Sequence, residues 1–227
     1  MEQTSKDWNE LKSNDSWSIF KIMSEFVEGF DRMSKIGPCI SIFGSARTSP
    51  ENPYYSLGVE IAEKFAGLGY GIITGGGPGL MEAANKGAQQ AKGKSVGLNI
   101  DLPFEQNHNP FIDQEHNLEF DYFFVRKVIF VKYSQAFVIL PGGFGTLDEF
   151  FEAMTLIQTK KITKRPIVLV GTSYWIGLLK WVEETMLWKE KNISPDDLDL
   201  YKLVDTADKA VEYIEDFYRS HALSPNF

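Results

Sequence analysis

The residues with the clearest capacity for chemistry stand in two glycine-rich segments. Gly75-Gly76-Gly77-Pro78-Gly79 and Pro141-Gly142-Gly143-Phe144-Gly145-Thr146 each follow a short apolar run and precede a helical pattern with an early acid, Glu82 in the first and Glu149 in the second. A strand that ends in a glycine turn and opens a helix leaves several backbone N–H groups pointing outward, and the helix dipole adds partial positive charge. That geometry suits a phosphate. In the second segment three glycines let the backbone approach an anion closely, and Thr146 is expected to cap the helix and offer its hydroxyl. Tight turns in a doubly wound sheet would account for one such segment; two on the same plan point to a cleft for a phosphorylated, nucleotide-like ligand. The first turn does not match G-x-G-x-x-G in any register, Gly44-Ser45-Ala46-Arg47 is no better, and no G-x-x-x-x-G-K-[ST] loop is present. A dinucleotide fingerprint and a nucleoside triphosphatase loop are therefore unsupported.

Such turns need strands and helices to hold them. From Pro38 onward short apolar, β-branched runs alternate with longer helical patterns, which is how a parallel sheet reads. The predicted strands are Cys39–Phe43, Gly71–Thr74, Ser95–Ile100, Phe120–Phe124, Ala136–Leu140, Ile167–Val170 and Lys202–Val204, with a helix after Asn52-Pro53 and another over Tyr174–Lys189. Ala136–Leu140 has no polar member, as expected of a strand in mid-sheet covered on both faces. Ile19, Ile22, Met23, Phe26, Phe30 and Met33 recur at helical spacing behind the cap candidates Asn14 and Asp15, predicting an amphipathic opening helix that packs on the rest. Between Asp101 and Asn117 the pattern lapses into a stretch with Pro103, Asn107, Asn109 and Pro110, either a loop over the site or a plain surface loop. The expected organisation is an N-terminal helical extension over 1–36, one nucleotide-binding domain over 37–220 and a tail over 221–227.

Composition narrows the function further. With 227 residues, 43% of them hydrophobic, the chain can bury a sizeable core. No apolar run approaches the length of about 20 residues that crosses a bilayer, and Met1–Asp15 lacks the form of a secretory signal, so the cytoplasm is the expected compartment. The net charge of −8 argues against a protein that wraps nucleic acid, because such binding relies on clustered Lys and Arg. The single cysteine, Cys39, lies in an apolar run and reads as a small buried hydrophobe.

The motifs themselves resemble a known family. Pro141-Gly142-Gly143-Phe144-Gly145-Thr146-Leu147-Asp148-Glu149 matches P-G-G-x-G-T-x-x-E, and Gly75-Gly76-Gly77-Pro78-Gly79-Leu80-Met81-Glu82 is similar to G-G-G-x-G-L-M, both of the LOG family of nucleoside 5′-monophosphate phosphoribohydrolases, long labelled lysine decarboxylases. The resemblance, from about Pro38 to Val204, implies an α/β fold with a doubly wound, mostly parallel Rossmann-like sheet and helices on both faces. It also implies a homodimer or higher homo-oligomer, no cofactor, no metal, and hydrolysis of the N-glycosidic bond of AMP or a cytokinin riboside monophosphate to free base and ribose 5-phosphate. Carried onto this sequence, the catalytic pair would be Arg126 and Glu149, and the substrate-binding residues Ser45, Gly76, Gly77, Met81, Gly142, Gly143, Gly145 and Thr146. Phe123-Phe124-Val125-Arg126-Lys127 departs from the Met-His-x-Arg-Lys run of many plant-like members, and the first glycine turn is one residue shorter than theirs.

Cleaving an N-glycosidic bond builds positive charge on the ribose, so a fixed carboxylate beside C1′ favours the transition state. Glu149, read as lying in the first turn of the helix that Thr146 opens, is expected to be ionised and to act as charge stabiliser or water-orienting base. Arg126 stays charged near neutral pH, so its role is positional: it holds Glu149, a ribose hydroxyl or a phosphate oxygen, or else pairs with Glu119 or Asp121 on a helix surface. Glu82 and Asp148 either touch ribose or are solvated acids. His108, Asp113, Glu115 and His116 lack regular metal-ligand spacing and read as a polar loop. Two other functions stay open: a non-catalytic carrier or sensor of a phosphorylated nucleotide or pterin, like the molybdenum-cofactor carriers, and pyridoxal-dependent lysine decarboxylation. The latter needs a Schiff-base lysine that no sequence feature identifies.

Overall fold

The computed structural model describes the backbone of residues 8–101 and 108–227, and side chains from Trp17 onward within those spans. Pro103 and Asn107 of the predicted loop, and any reading of residues 1–7, lie outside the described residues.

Among the described residues seven strands form one parallel sheet: β1 (Cys39–Phe43), β2 (Gly71–Thr74), β3 (Ser95–Ile100), β4 (Asn117–Phe120), β5 (Ser134–Ile139), β6 (Ile167–Val170) and β7 (Lys202–Val204), in the order β4-β3-β2-β1-β5-β6-β7. The helices are α1 (Trp8–Met33), α2 (Pro53–Gly67), α3 (Leu80–Gln90), α4 (Phe123–Tyr133), α5 (Phe144–Gln158), α6 (Thr172–Trp181), which continues as a π-helical stretch Val182–Lys189, and α7 (Ala207–Tyr218). This is the doubly wound arrangement read from the sequence.

The strands β1, β2, β5 and β6 are buried along their whole length because both faces of the sheet are covered there. In β5, Phe137 and Ile139 pack with Met33, Ile129, Phe150 and Trp175 of α1, α4, α5 and α6, while Ala136 and Val138 pack with Ile61, Ala83 and Ile214 of α2, α3 and α7. The period of two along the strand sends alternate side chains to opposite layers. Cys39 is fully buried, and burial pushes its thiol up to about 12, so it stays unionised near neutral pH. Among the described residues no helix is long and apolar enough to cross a membrane.

Several predicted boundaries move; β5 runs Ser134–Ile139 rather than Ala136–Leu140, and α6 starts at Thr172 rather than Tyr174. β4 is Asn117–Phe120, in register with β3 from Gly97↔Asn117 to Ile100↔Phe120, and the aromatic run beyond it starts α4 at Phe123. A short apolar run satisfies strand and helix periods alike, so its periodicity could not place the join. Helix α1 spans Trp8–Met33, so Asn14 and Asp15 are interior helical residues rather than caps; in a helix interior they cost only a few tenths of a kcal/mol relative to better formers. Its inner side, Ile22, Phe26, Phe30 and Met33, joins the core, while Ile19 and Met23 face outward.

Candidate active site

The strand order reverses at β1, whose crossover leads to β2 on one side, while β5 pairs on the other side and leads to β6. Ligands of open α/β sheets bind outside the carboxyl ends of the strands at such a switch point. Three turns meet there. Ser45, after β1, donates its N–H to Pro141 O (3.0 Å) and accepts at its carbonyl from Leu80 N (3.0 Å), joining the turns that follow β1, β2 and β5.

The first glycine turn is held by what lies beneath it. Gly76 (φ +76) and Gly79 (φ +69) occupy the left-handed region, and a Cβ at either would collide with Asn99 or with the Ser45 carbonyl respectively. Thr74 Oγ1 accepts from Gly76 N (3.0 Å) and donates to the buried Asn85 (2.6 Å). Asn109, itself buried, donates from its side chain to the carbonyls of Gly76 and Gly77 (3.1 Å each) and from its N–H to Gly76 O (2.8 Å). The carbonyls of the turn are thereby tied into the fold. Met81 lies against Gly75, its Sδ 2.9 Å from where a Cβ would stand.

The second turn opens α5. Its N-cap is Gly143, with no side-chain cap, and Thr146 is a buried residue of the first turn. The expectation that Thr146 caps the helix is therefore corrected: the cap is Gly143, three residues earlier, and the helix starts at Phe144. The Tyr174 hydroxyl donates to Gly142 O (2.5 Å), fixing the turn from α6. Gly143 and Gly145 differ from Gly75, Gly76, Gly79 and Gly142 of the two turns: a Cβ would meet nothing within 4 Å, and neither has a positive φ.

Along α5 the buried residues are Thr146, Glu149, Phe150, Ala153 and Ile157, a core-facing stripe at helical spacing that includes a carboxylate. Phe150 anchors it, its ring 5.9 Å from that of the fully buried Trp175. Glu149 is 8% exposed and sits in the second turn, where the dipole has weakened, so burial dominates. Burial pushes its carboxyl up to about 7, against the pull of Lys127 and Arg126 and with help from Glu152 and Asp148. The expectation that the helix dipole keeps Glu149 ionised is corrected: burial favours the protonated form more than the weakened dipole and the two cations favour the charged one.

Arg126, on the first turn of α4, lies against the first glycine turn and within electrostatic reach of Glu149. Its guanidinium carbon is 5.0 Å from the Phe123 ring centroid and 5.8 Å from that of Phe130, Nη1 is 3.8 Å from a Cβ position on Gly75, and its charge acts on Glu149. Asp121 pairs instead with Lys21. Lys127, which sequence reasoning quoted without a role, reaches Asp148 (2.9 Å), Glu152 (2.9 Å) and Glu149 (3.7 Å). Asp148 is largely exposed, and Glu82 accepts from the Tyr55 hydroxyl (2.7 Å). Asp113 accepts from Ser95 N (2.8 Å) and lies 3.2 Å from His116, away from the glycine turns at the start of β3.

Residues 81–214 match the family described as "Possible lysine decarboxylase". The chain belongs to that family. Among its relatives, a cytokinin riboside 5′-monophosphate phosphoribohydrolase of Mycobacterium tuberculosis is 33% identical over 132 residues, 56% of this chain and 67% of that one. One of the same activity name from Arabidopsis thaliana is 24% identical over 186 residues, covering 80% of this chain and 84% of that one. The fold is shared with the molybdenum cofactor binding protein of Rippkaea orientalis (TM-score 0.57, 20% identity, 80% of this chain and 97% of that one). It is shared too with the molybdenum cofactor carrier protein of Chlamydomonas reinhardtii (TM-score 0.56, 20% identity, 81% and 99%). The family's description points to pyridoxal chemistry, which needs a lysine that can become neutral. Lys127 does not fit: burial lowers its proton affinity, but the hydrogen bonds that its ammonium donates to Asp148 and Glu152, with the charge of Glu149, outweigh this and raise it.

Proposed function

We propose that this chain hydrolyses the N-glycosidic bond of a nucleoside 5′-monophosphate, releasing the base and ribose 5-phosphate. The observation that carries the reading is the buried Glu149, with a proton affinity near neutrality, on the helix that opens with Gly143 and Gly145. In this reading the backbone of Gly142, Gly143 and Gly145, with Thr146, holds the 5′-phosphate at the positive end of α5. Gly76, Gly77, Met81 and Ser45 line the opposite wall, and Arg126 orients Glu149 and the ribose. Water supplies hydroxide to C1′ and a proton to the products. The C1′–N bond breaks with its electron pair going to the base, and ionised Glu149 takes the water's proton. A general base works best when its pKa lies near the working pH, which a buried Glu149 satisfies and a solvated one would not.

A carrier of phosphorylated ligands gains nothing from a buried carboxyl beside an anion, which favours the hydrolase reading. The test is chromatographic: incubation with AMP, other nucleoside monophosphates and adenosine is expected to release base and ribose 5-phosphate from a monophosphate and nothing from adenosine. Equal release from adenosine would remove the phosphate role of the glycine turns.

A further inference from the structure

The charged groups acting on Glu149 come from two helices: Arg126 and Lys127 from α4, Asp148 and Glu152 from α5. Asp148 and Glu152 are four residues apart, on one face of α5, and the Lys127 ammonium stands between them at 2.9 Å from each. Glu149, one residue round the helix, turns inward and lies 3.7 Å from the same nitrogen, beyond a hydrogen bond. Lys127 is itself mostly enclosed, its side chain 14% exposed, so its field at Glu149 is weakly screened. With Glu149 protonated, the two cations balance Asp148 and Glu152; its ionisation leaves one negative charge in excess.

We propose that Lys127 is a positioning residue for Glu149: with its ammonium engaged by Asp148 and Glu152, it sets the field at the Glu149 carboxyl without neutralising it. The arrangement rests on the hydrolase reading for its purpose, but not for its electrostatics. A lysine paired directly with Glu149 would hold the carboxylate ionised and weaken it as a base. A missing lysine would leave two carboxylates repelling it and keep it protonated. Asp148 and Glu152 therefore belong to the device although neither need touch substrate.

The consequence is a pair of opposite shifts that a merely structural ion pair would not produce. Removing the cation in Lys127→Met should raise the Glu149 titration midpoint by about one pH unit. Removing a competing carboxylate in Glu152→Gln should lower it by a comparable amount, since Lys127 turns toward Glu149 and one repulsion is lost. Lys127→Arg, which keeps the charge, should leave it near the wild-type value.

The experiment is a pH titration of the unliganded full chain with ¹³C-labelled glutamate carboxyls followed by NMR, the Glu149 resonance assigned by its loss in Glu149→Gln. Opposite shifts in Lys127→Met and Glu152→Gln are the expected result. Midpoints that stay put in both, or move the same way, would overturn the proposal, and Glu152→Gln with Lys127→Arg still decides the matter if Lys127→Met fails to fold. Opposite shifts in a protein that releases no base would support the role of Lys127 and contradict the hydrolase reading, so the two failures are separable.

Discussion

The Thr146 hydroxyl fills the space that a side chain on Gly142 would need, so that glycine is demanded by the protein's own packing. Gly143 and Gly145, on either side of Phe144, are demanded by nothing in the chain. Gly145→Ala, within the first turn of α5, should therefore leave thermal stability unchanged or raised by up to about 1 kcal/mol, while Gly143→Ala, at the N-cap, should bring no gain because Gly is preferred to Ala there. Each should weaken AMP binding by about tenfold or more, the loss of one charge-assisted hydrogen bond. Gly142→Ala should instead lower stability. Calorimetry of unfolding and of AMP binding checks both halves, and unimpaired AMP affinity in the first two variants would contradict a phosphate at this turn.

Burial of Glu149 has a cost that depends on pH. Its carboxyl rises from the ordinary 4.5 to about 7 in the folded chain, so the protein bears no penalty below pH 4.5 and loses stability as pH rises toward 7. The full loss is roughly 3 to 4 kcal/mol, from about 1.4 kcal/mol per unit. Glu149→Gln should accordingly be more stable than the wild type at pH 8 and gain little at pH 4.5. Urea unfolding at the two pH values tests this; an equal gain at both would mean that ionisation is not the source.

Asn109 ties the segment after β3 to the first glycine turn through the carbonyls of Gly76 and Gly77 and the side chain of Asn85. Asn109→Ala leaves these buried acceptors short of a donor and should cost about 1–3 kcal/mol of stability. It should raise KM for a monophosphate more than it lowers kcat, because it loosens a wall of the cleft rather than the reacting carboxyl. Chemical unfolding and steady-state kinetics measure the two effects, and unchanged stability would show that the turn holds itself.

Much of this architecture is written locally. β2, β3, β6 and β7 lie where their apolar runs predict, because glycine, proline and polar residues end each run on both sides. The join between β4 and α4 was not legible, since Phe120 to Val125 is aromatic or apolar at every position but Asp121 and only pairing with β3 decides where the strand stops. The site divides in the same way. The glycine turns announce themselves by composition, but the proton affinity of Glu149 depends on α4 covering it and on charges brought from Arg126 and Lys127. One signal was present and passed over: Glu149 falls on the Thr146, Phe150, Ala153, Ile157 stripe, a carboxylate at a core position. Asn109 and Tyr174 act on the turns across 30 residues or more, and no local pattern marks them.

The most direct measurement is AMP turnover by the wild type and by Glu149→Gln, with AMP affinity determined on both. The account predicts free adenine and ribose 5-phosphate from the wild type. In the variant it predicts a fall of about 100- to 10,000-fold in kcat, as for loss of a general base, with affinity within a few-fold. Retained turnover in Glu149→Gln, with AMP still bound, would contradict it.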